Sequence, residues 1–551
     1  MWSRPLRTCR RQTWQTHLAN RRAFNGQPTG PHTTYFQPPP QAQKPPRRIL
    51  WRLTKGAAIM SAGVVLGIAA YGKAMQLRPI ELVEINGAKD DEGQLLQEAM
   101  IAGVHEGLAR RVPPMSYEDA MGFLRGGSGY SVTPKAVSHF TQAPSNLPCE
   151  DTMGSGTYTF LGDPAKDWSE WGIFDGHAGS RTAQLLKDYL PLILGEALWK
   201  ARCMTKPVEQ TVVQTIKSAF LKVDQEIVEG AGNQIQAGGS LPQIVAAGAA
   251  AFSGSCALVA IFDPVREVVR VANVGDSRAV LGRWDPISKK YVAEPMSVDQ
   301  TGFNSNEVDR VTREHPGEDP VDPKTGRIYG LAVSRAFGDA RWKWTEELTK
   351  LAHDKYFGPA PRPNEVIKTP PYLTAEPEVM TCSVASRGSD PAPFLIMGSD
   401  GLWDQMSSED AVTCVQMWLD KFKPTDFLDV DQSETLAANP FTPNAKRTPP
   451  TFTSAADLAD DDTWFDEDEK CLKWKAEPKH FVVEDENCAV HVAQNALGGK
   501  RRDLFAGVMS VQAPYSRNVR DDITVNVIFF GVDASTQMLE AKRAGAVVTS
   551  G

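Results

Sequence analysis

Phe394-Leu-Ile-Met-Gly-Ser-Asp-Gly-Leu-Trp-Asp404 runs through five residues with almost no polarity and then turns on Ser, Asp and Gly. A short apolar run bounded by turn residues reads as a strand buried on both faces. The run ITVNVIFF at 523–530 has the same character, and the two predict central strands. Working outward, CALVAIF at 256–262 and EVVRVANV at 267–274 flank an Asp-Pro turn and predict a hairpin. Residues 181–197 and 212–228 carry helical patterns. Adjacent strands with helices gathered between them indicate an α+β fold, a central antiparallel β-sandwich flanked by α-helices, and not alternating βαβ units.

Each strand has an acid at its end. Residues 171–174 lead into Asp175-Gly176-His177-Ala178-Gly179, and 271–274 lead into Gly275-Asp276-Ser277-Arg278. The strand at 394 reaches Asp400 and then Asp404, and Arg520-Asp521-Asp522 opens the strand at Ile523. Glu150-Asp151 lies upstream of all of them. One Asp-Gly is an ordinary turn. Several at the ends of apolar strands give carboxylates converging on a rigid base, which is what hard divalent cations such as Mg²⁺ or Mn²⁺ require. Two such ions about 3.5 to 4 Å apart can activate water and neutralise a phosphoryl group.

In this order the residues resemble the metal-dependent protein phosphatases of type 2C. The resemblance is carried by Glu150-Asp151, Phe174-Asp-Gly-His-Ala-Gly179, Gly254-Ser-Cys-Ala257 and Ala272-Asn-Val-Gly-Asp-Ser-Arg-Ala279. Leu331-Ala-Val-Ser-Arg-Ala-Phe-Gly-Asp339, Met397-Gly-Ser-Asp-Gly-Leu-Trp-Asp404 and Arg520-Asp-Asp-Ile-Thr-Val525 complete it, over roughly residues 140–530. It implies a dinuclear site at one end of the sandwich, and hydrolysis of phosphoserine or phosphothreonine in proteins by a water or hydroxide held between two ions. Asp175 would bridge both ions. Asp400 and Asp521 would complete one shell, and Glu150 with the Gly176 carbonyl the other. Asp276, with Asp400 and Asp404, would lie at a weaker third position. His177 would protonate the leaving oxygen, a task that suits imidazole near neutral pH; the competing reading is a buried, hydrogen-bonded histidine.

Many members of this family carry arginine four residues before the metal-site glutamate. Here that residue is Asn146, which has neither charge nor a bidentate fork. The mitochondrial pyruvate dehydrogenase phosphatase branch also has asparagine there. The stretches 299–304, 315–317, 370–379 and 495–498 are similar to that branch as well. The expected substrate is therefore the E1α subunit of pyruvate dehydrogenase, activating the complex, with Asn146 and Arg181 as phosphate contacts. A second reading is a phosphatase for other mitochondrial phosphoproteins, in the intermembrane space. A third, a catalytically dead phosphoprotein-binding homologue, is opposed by the complete carboxylate set.

The net charge of -8 over 551 residues, with no basic stripe beyond the N-terminus, points away from nucleic acid. Eight scattered cysteines without C-x-x-C pairs read as reduced thiols, mostly packing residues. The first acid in the chain is Glu81, whereas eleven Arg and Lys residues lie within residues 1–55 alone. Residues 1–55 thus read as a mitochondrial targeting segment with a Pro-rich linker, the competing reading being a basic arm for anionic lipid or nucleic acid. Residues 56–72 (GAAIMSAGVVLGIAAYG) are uncharged and are expected to anchor the chain in the inner membrane, with a cleaved or peripheral segment as the alternative. A connecting region at 73–115, a catalytic domain at 116–535 and a tail at 536–551 follow. Insertions are expected near 340–372 and 420–480, the acidic run 457–469 in the second reading as a solvated loop.

Overall fold

The structure is a computed structural model that describes residues 115–160, 164–204, 208–362, 367–428, 462–466 and 471–532. The targeting segment, the 56–72 segment, nearly all of 73–115, residues 429–461 and the tail lie outside the described residues. Among the described residues no helix is long and apolar enough to cross a membrane.

Two antiparallel sheets form the centre. The first has six strands in the spatial order Gly129–Thr133, Ala136–Ala143, Ile523–Phe530, Phe394–Gly398, Arg278–Asp285, Lys290–Pro295. The second has five, in the order Glu378–Ser383, Val268–Val274, Ala257–Asp263, Trp168–Phe174, Thr152–Tyr158. The expected hairpin is present, with Ala257 opposite Val274 and Asp263 opposite Val268.

Alternation along the strands explains why the runs are apolar without interruption. In Ala257–Asp263, Leu258, Ala260 and Phe262 join Leu281, Leu395, Met397, Ile528 and Phe530 in the core between the sheets. Their neighbours Ala257, Val259 and Ile261 face the other way and pack with Leu186, Leu190, Ile216 and Phe220 of two long helices. On the far side, Ile396, Val525, Val527 and Phe529 pack with Val412, Val415, Val490 and Ala493. Every residue of the central strands Trp168–Phe174, Ala257–Asp263, Phe394–Gly398 and Ile523–Phe530 is buried, one face by the other sheet and the other by helices, so a period-2 polar signal is absent there.

The two helices outrun their sequence expectations. The first is Arg181–Met204 and the second Glu209–Ala237. In the second, Ala231 and Ile235 are still buried, so packing sustains the helix past its expected end until Gly238, at φ 71°.

In the acidic segment only residues 462–466 are described, and there a strand stands where a loop was expected. Thr463–Asp466 pairs with Cys471–Trp474 in a hairpin, and Asp462 accepts hydrogen bonds from His480 at 2.7 Å and Lys479 at 3.0 Å. The described part is therefore tied to the domain. The charges misled because the strand-forming Thr463, Trp464 and Phe465 are interleaved among them. The 340–372 stretch holds a 3₁₀ turn, Ala340–Trp342, and the helix Glu346–Tyr356, and it begins directly beside the site described next.

Candidate metal centre and active site

The strand ends bring the carboxylates together as expected. Asp175 follows Trp168–Phe174, and its backbone carbonyl accepts from the Cys256 N–H at 2.8 Å. One oxygen each of Asp175 and Asp276 and the Cys256 sulfur all lie within 4.8 Å of one another. Asp400 starts the short helix Asp400–Trp403, which sits against the turn before Ile523. A Cβ added at Gly401 would lie 2.4 Å from the Asp522 carbonyl, so this contact joins Asp400 to Asp521. Asp404 is exposed at the rim, its N–H bonded to the Asp400 carbonyl.

Glu150 enters from a loop pinned by Asp522. The Asp522 carboxylate accepts from the backbone N–H groups of Ser145 (2.5 Å), Asn146 (3.0 Å) and Glu150 (2.8 Å), and from the Ser145 hydroxyl at 2.9 Å. The Glu150 side chain accepts from Asn146 Nδ2 at 2.9 Å and from the Gly179 N–H at 2.5 Å. Gly176 has no room for a side chain, since a Cβ there would lie 2.4 Å from the Glu150 carbonyl. Asn146, expected to meet phosphate, thus holds the Glu150 carboxylate in this arrangement.

His177 lies in the two-residue strand Gly176–His177, which pairs with Gly254–Ser255, which in turn pairs with Phe337–Gly338. This small sheet carries His177 Nε2 to 2.6 Å from Asp339 Oδ2. The approach requires glycine at 254, where a Cβ would lie 2.1 Å from His177 Nε2. Burial works against protonated His177, but the charge and hydrogen bond of Asp339 outweigh it and raise its pKa. The imidazole is 21% exposed, so it is open to the cleft and held from behind.

The electrostatics fit divalent cations. Burial, and then the charges of Asp400, Asp151, Asp276 and Asp521, push the Asp175 carboxyl well above the usual range. Asp400 is raised by burial and by Asp276, Asp521 and Asp404; Asp276 is also raised, chiefly by burial. Asp151 is pushed up to about 8 by burial, with Asp522 adding to it. So many carboxylates cannot all ionise in one place unless cations offset them. Asp175 Oδ2 is buried without a hydrogen-bond donor, which is an open coordination point. The donors are oxygens, as Mg²⁺ and Mn²⁺ prefer. Cys256, which the sequence suggested was a packing residue, is the exception within the cluster. Burial pushes its thiol well up, and it donates to Asp276 Oδ1 at 3.3 Å as a neutral group.

Two further residues escaped the sequence reading. Asp339 ends a recognised motif, yet its pairing with His177 spans 162 positions. Arg517 lies four residues before Asp521, contacts it at 2.5 Å and stands 3.6 Å from Glu150 Oε2. Arg181 is exposed at the first residue of its helix, so the guanidinium placed among the carboxylates is that of Arg517.

Residues 145–439, over half of the chain, match the family model described as protein phosphatase 2C. A protein phosphatase 2C homolog of Schizosaccharomyces pombe is 37% identical over 401 residues, which is 71% of this chain and 79% of that protein. The mitochondrial pyruvate dehydrogenase (acetyl-transferring) phosphatase 1 of Saccharomyces cerevisiae is 31% identical over 74% of this chain and 70% of its own length. The human mitochondrial pyruvate dehydrogenase phosphatase 2 is 30% identical over 52% of this chain and 49% of its own. With the sandwich and the carboxylate cluster in place, this chain belongs to the protein phosphatase 2C family, a metal-dependent protein serine/threonine phosphatase that uses Mg²⁺ or Mn²⁺.

Proposed function

We propose that this phosphatase acts in the mitochondrion on phosphoserine of the pyruvate dehydrogenase E1α subunit and thereby activates the complex. What supports the substrate is the 31% identity to the yeast enzyme of that name over most of both chains, joined to the acid-free basic N-terminus. Attachment to the inner membrane through residues 56–72 belongs to the same reading.

In this reading Asp175 would be shared by two ions, Asp400 and Asp521 would hold one of them, Glu150 and the Gly176 carbonyl the other, and Asp276 with Asp400 and Asp404 a weaker third. The bound ions supply a water activated at neutral pH and offset the charge on the phosphoryl group. The residues of the chain do the rest. Asp522 and Asn146 fix the direction of the Glu150 carboxylate from outside the shell, as second-layer partners of metal ligands do. His177, held by Asp339, delivers a proton to the departing seryl oxygen, which is a poor leaving group as an alkoxide. Arg517 stands where an anionic phosphoryl group would meet the carboxylates. It supplies the charge that Asn146 lacks, and a guanidinium fork suits phosphate oxygens.

The test uses the full chain with phosphorylated pyruvate dehydrogenase complex and Mg²⁺, measuring phosphate release and recovery of dehydrogenase activity together. The expectation is release from E1α with matching recovery. Hydrolysis of p-nitrophenyl phosphate and phosphoserine peptides without release from E1α would overturn the substrate while leaving the chemistry intact. Protease protection of the catalytic domain in mitochondria and mitoplasts places it in the matrix or in the intermembrane space, and the latter outcome would also overturn E1α.

A further inference from the structure

Among the described residues, no acid neutralises a group of arginines beside the active site. Arg341 and Arg362 both hold their guanidinium carbons over the Trp342 ring, at 5.6 and 5.1 Å from its centre. Arg362 also reaches Gly330, where a Cβ would lie 2.8 Å from its Nη2, and Arg327 donates to the Gly330 carbonyl at 3.1 Å. These arginines come from separate segments of the chain. Among the described residues none of the three makes an ion pair. The contrast with neighbouring cations is sharp: Arg310, Arg335 and Lys343 are each matched to Glu307 or Asp224 within 3 Å.

Buried donors are left over as well. Arg341 Nε, Arg362 Nε and Trp342 Nε1 are all buried without an acceptor. A buried donor without a partner is unfavourable, and adjacent like charges add to that. Burial lowers the pKa of both guanidiniums, and the charge of Arg341 lowers that of Arg362 further. An oxyanion is the class of ligand that suits such a group. It offsets the charge and can accept from planar guanidinium forks, while the indole face continues to support the cations.

Position names the source of that oxyanion. Arg341 and Trp342 lie in the turn Ala340–Trp342, whose preceding residue is Asp339, the partner of His177. Arg341 is two positions along the chain from Asp339, at most about 7 Å between Cα atoms. A peptide with its phosphoserine at His177 would pass the arginines within a few residues, at about 3.3 Å per extended residue.

We propose that Arg341 and Arg362, supported by Trp342 and flanked by Arg327, form a second anion subsite that binds an acidic group of the phosphoprotein substrate, a carboxylate or a second phosphate close to the phosphoserine. This rests on the phosphatase reading and deepens it by stating what kind of sequence surrounds the target serine.

The experiment compares kcat/KM on matched phosphoserine peptides, one set with Glu or a second phosphoserine two to five residues away on either side, the other with Gln. In the wild type the acidic peptides should be favoured about tenfold or more, and in Arg341→Gln/Arg362→Gln the ratio should fall to near one. A ratio within one protein is insensitive to partial misfolding. If the double variant cannot be produced, Arg362→Gln alone should lower the ratio several-fold. A wild-type ratio near one, or a ratio unchanged in the variants, overturns the subsite. Sulfate that alters turnover of the neutral peptide in the wild type, with no preference between peptides, would assign the arginines to a free ion and also overturn it. Absence of turnover in the wild type with Mg²⁺ or Mn²⁺, on p-nitrophenyl phosphate as well, would instead count against the catalytic reading.

Discussion

Asp175 Oδ2 is buried with no protein donor, so asparagine there would place an amide among carboxylates where a second anionic oxygen is needed. Asp175→Asn should retain less than about a tenth of wild-type activity, a barrier increase above roughly 1.4 kcal/mol. Retention above that level, at saturating Mg²⁺ or Mn²⁺, would remove Asp175 from the bridging position. His177→Ala should lower kcat by about 10² to 10⁴ on phosphoserine peptides and much less on p-nitrophenyl phosphate, whose leaving group needs no proton. Equal losses on both substrates with metal content unchanged would take the proton-donor role from His177. The three acids next to glycine at strand ends, Asp175, Asp276 and Asp400, were legible because local geometry alone sets them in the cleft. Asp339, Arg517 and Asp522 were not, because each acts through a contact that only the folded chain creates. Asp522 illustrates the difference: its neighbour Asp521 faces the cleft, while Asp522 accepts hydrogen bonds from a loop some 370 positions away.

At the scale of elements, the helix Ser305–Glu314 is joined to the Leu331–Asp339 segment through one acid. Glu307 is 2% exposed, contacts Arg335 at 2.5 Å and Arg310 at 2.8 Å, and accepts from the Ser334 hydroxyl at 2.6 Å. Burial alone would raise its pKa, but the hydrogen bonds from Arg335, Arg310 and Ser334 hold it down at about 2. Glu307→Ala leaves buried guanidinium charge without its partner and should cost about 3 to 5 kcal/mol in urea unfolding at pH 7. A folded pKa below the unfolded one gives stability that is present above the ordinary glutamate pKa and lost as pH falls through the folded value. The gap between wild type and variant should therefore narrow as pH drops from about 4.5 towards 2, and a constant gap would show that ionisation of Glu307 is not its source. Strands were the most legible elements: Phe394–Gly398 and Ile523–Phe530 have the bounds their composition suggested. Helix lengths were less so, since tertiary burial and not propensity decided where Arg181–Met204 and Glu209–Ala237 end.

For the molecule as a whole, the proposed address and the chemistry fall in separate parts of the chain. Removal of residues 1–55 should abolish import into mitochondria and leave kcat on phosphoserine peptides unchanged, because none of the cluster residues precedes Asn146. A truncated protein still recovered from mitochondria would show that the address lies elsewhere. The architecture also has a temporal side. The strand Ile523–Phe530 lies in the interior of the six-stranded sheet, between Ala136–Ala143 and Phe394–Gly398, and it carries Asp521 and Asp522 at its entrance. A ribosome adding about 5 to 20 residues per second must therefore synthesise nearly the whole chain before the sheet can close or Glu150 can be fixed in direction. The nascent polypeptide should therefore stay catalytically silent until Ile523–Phe530 has emerged, and a chain cut short before that strand is expected to release no phosphate from p-nitrophenyl phosphate.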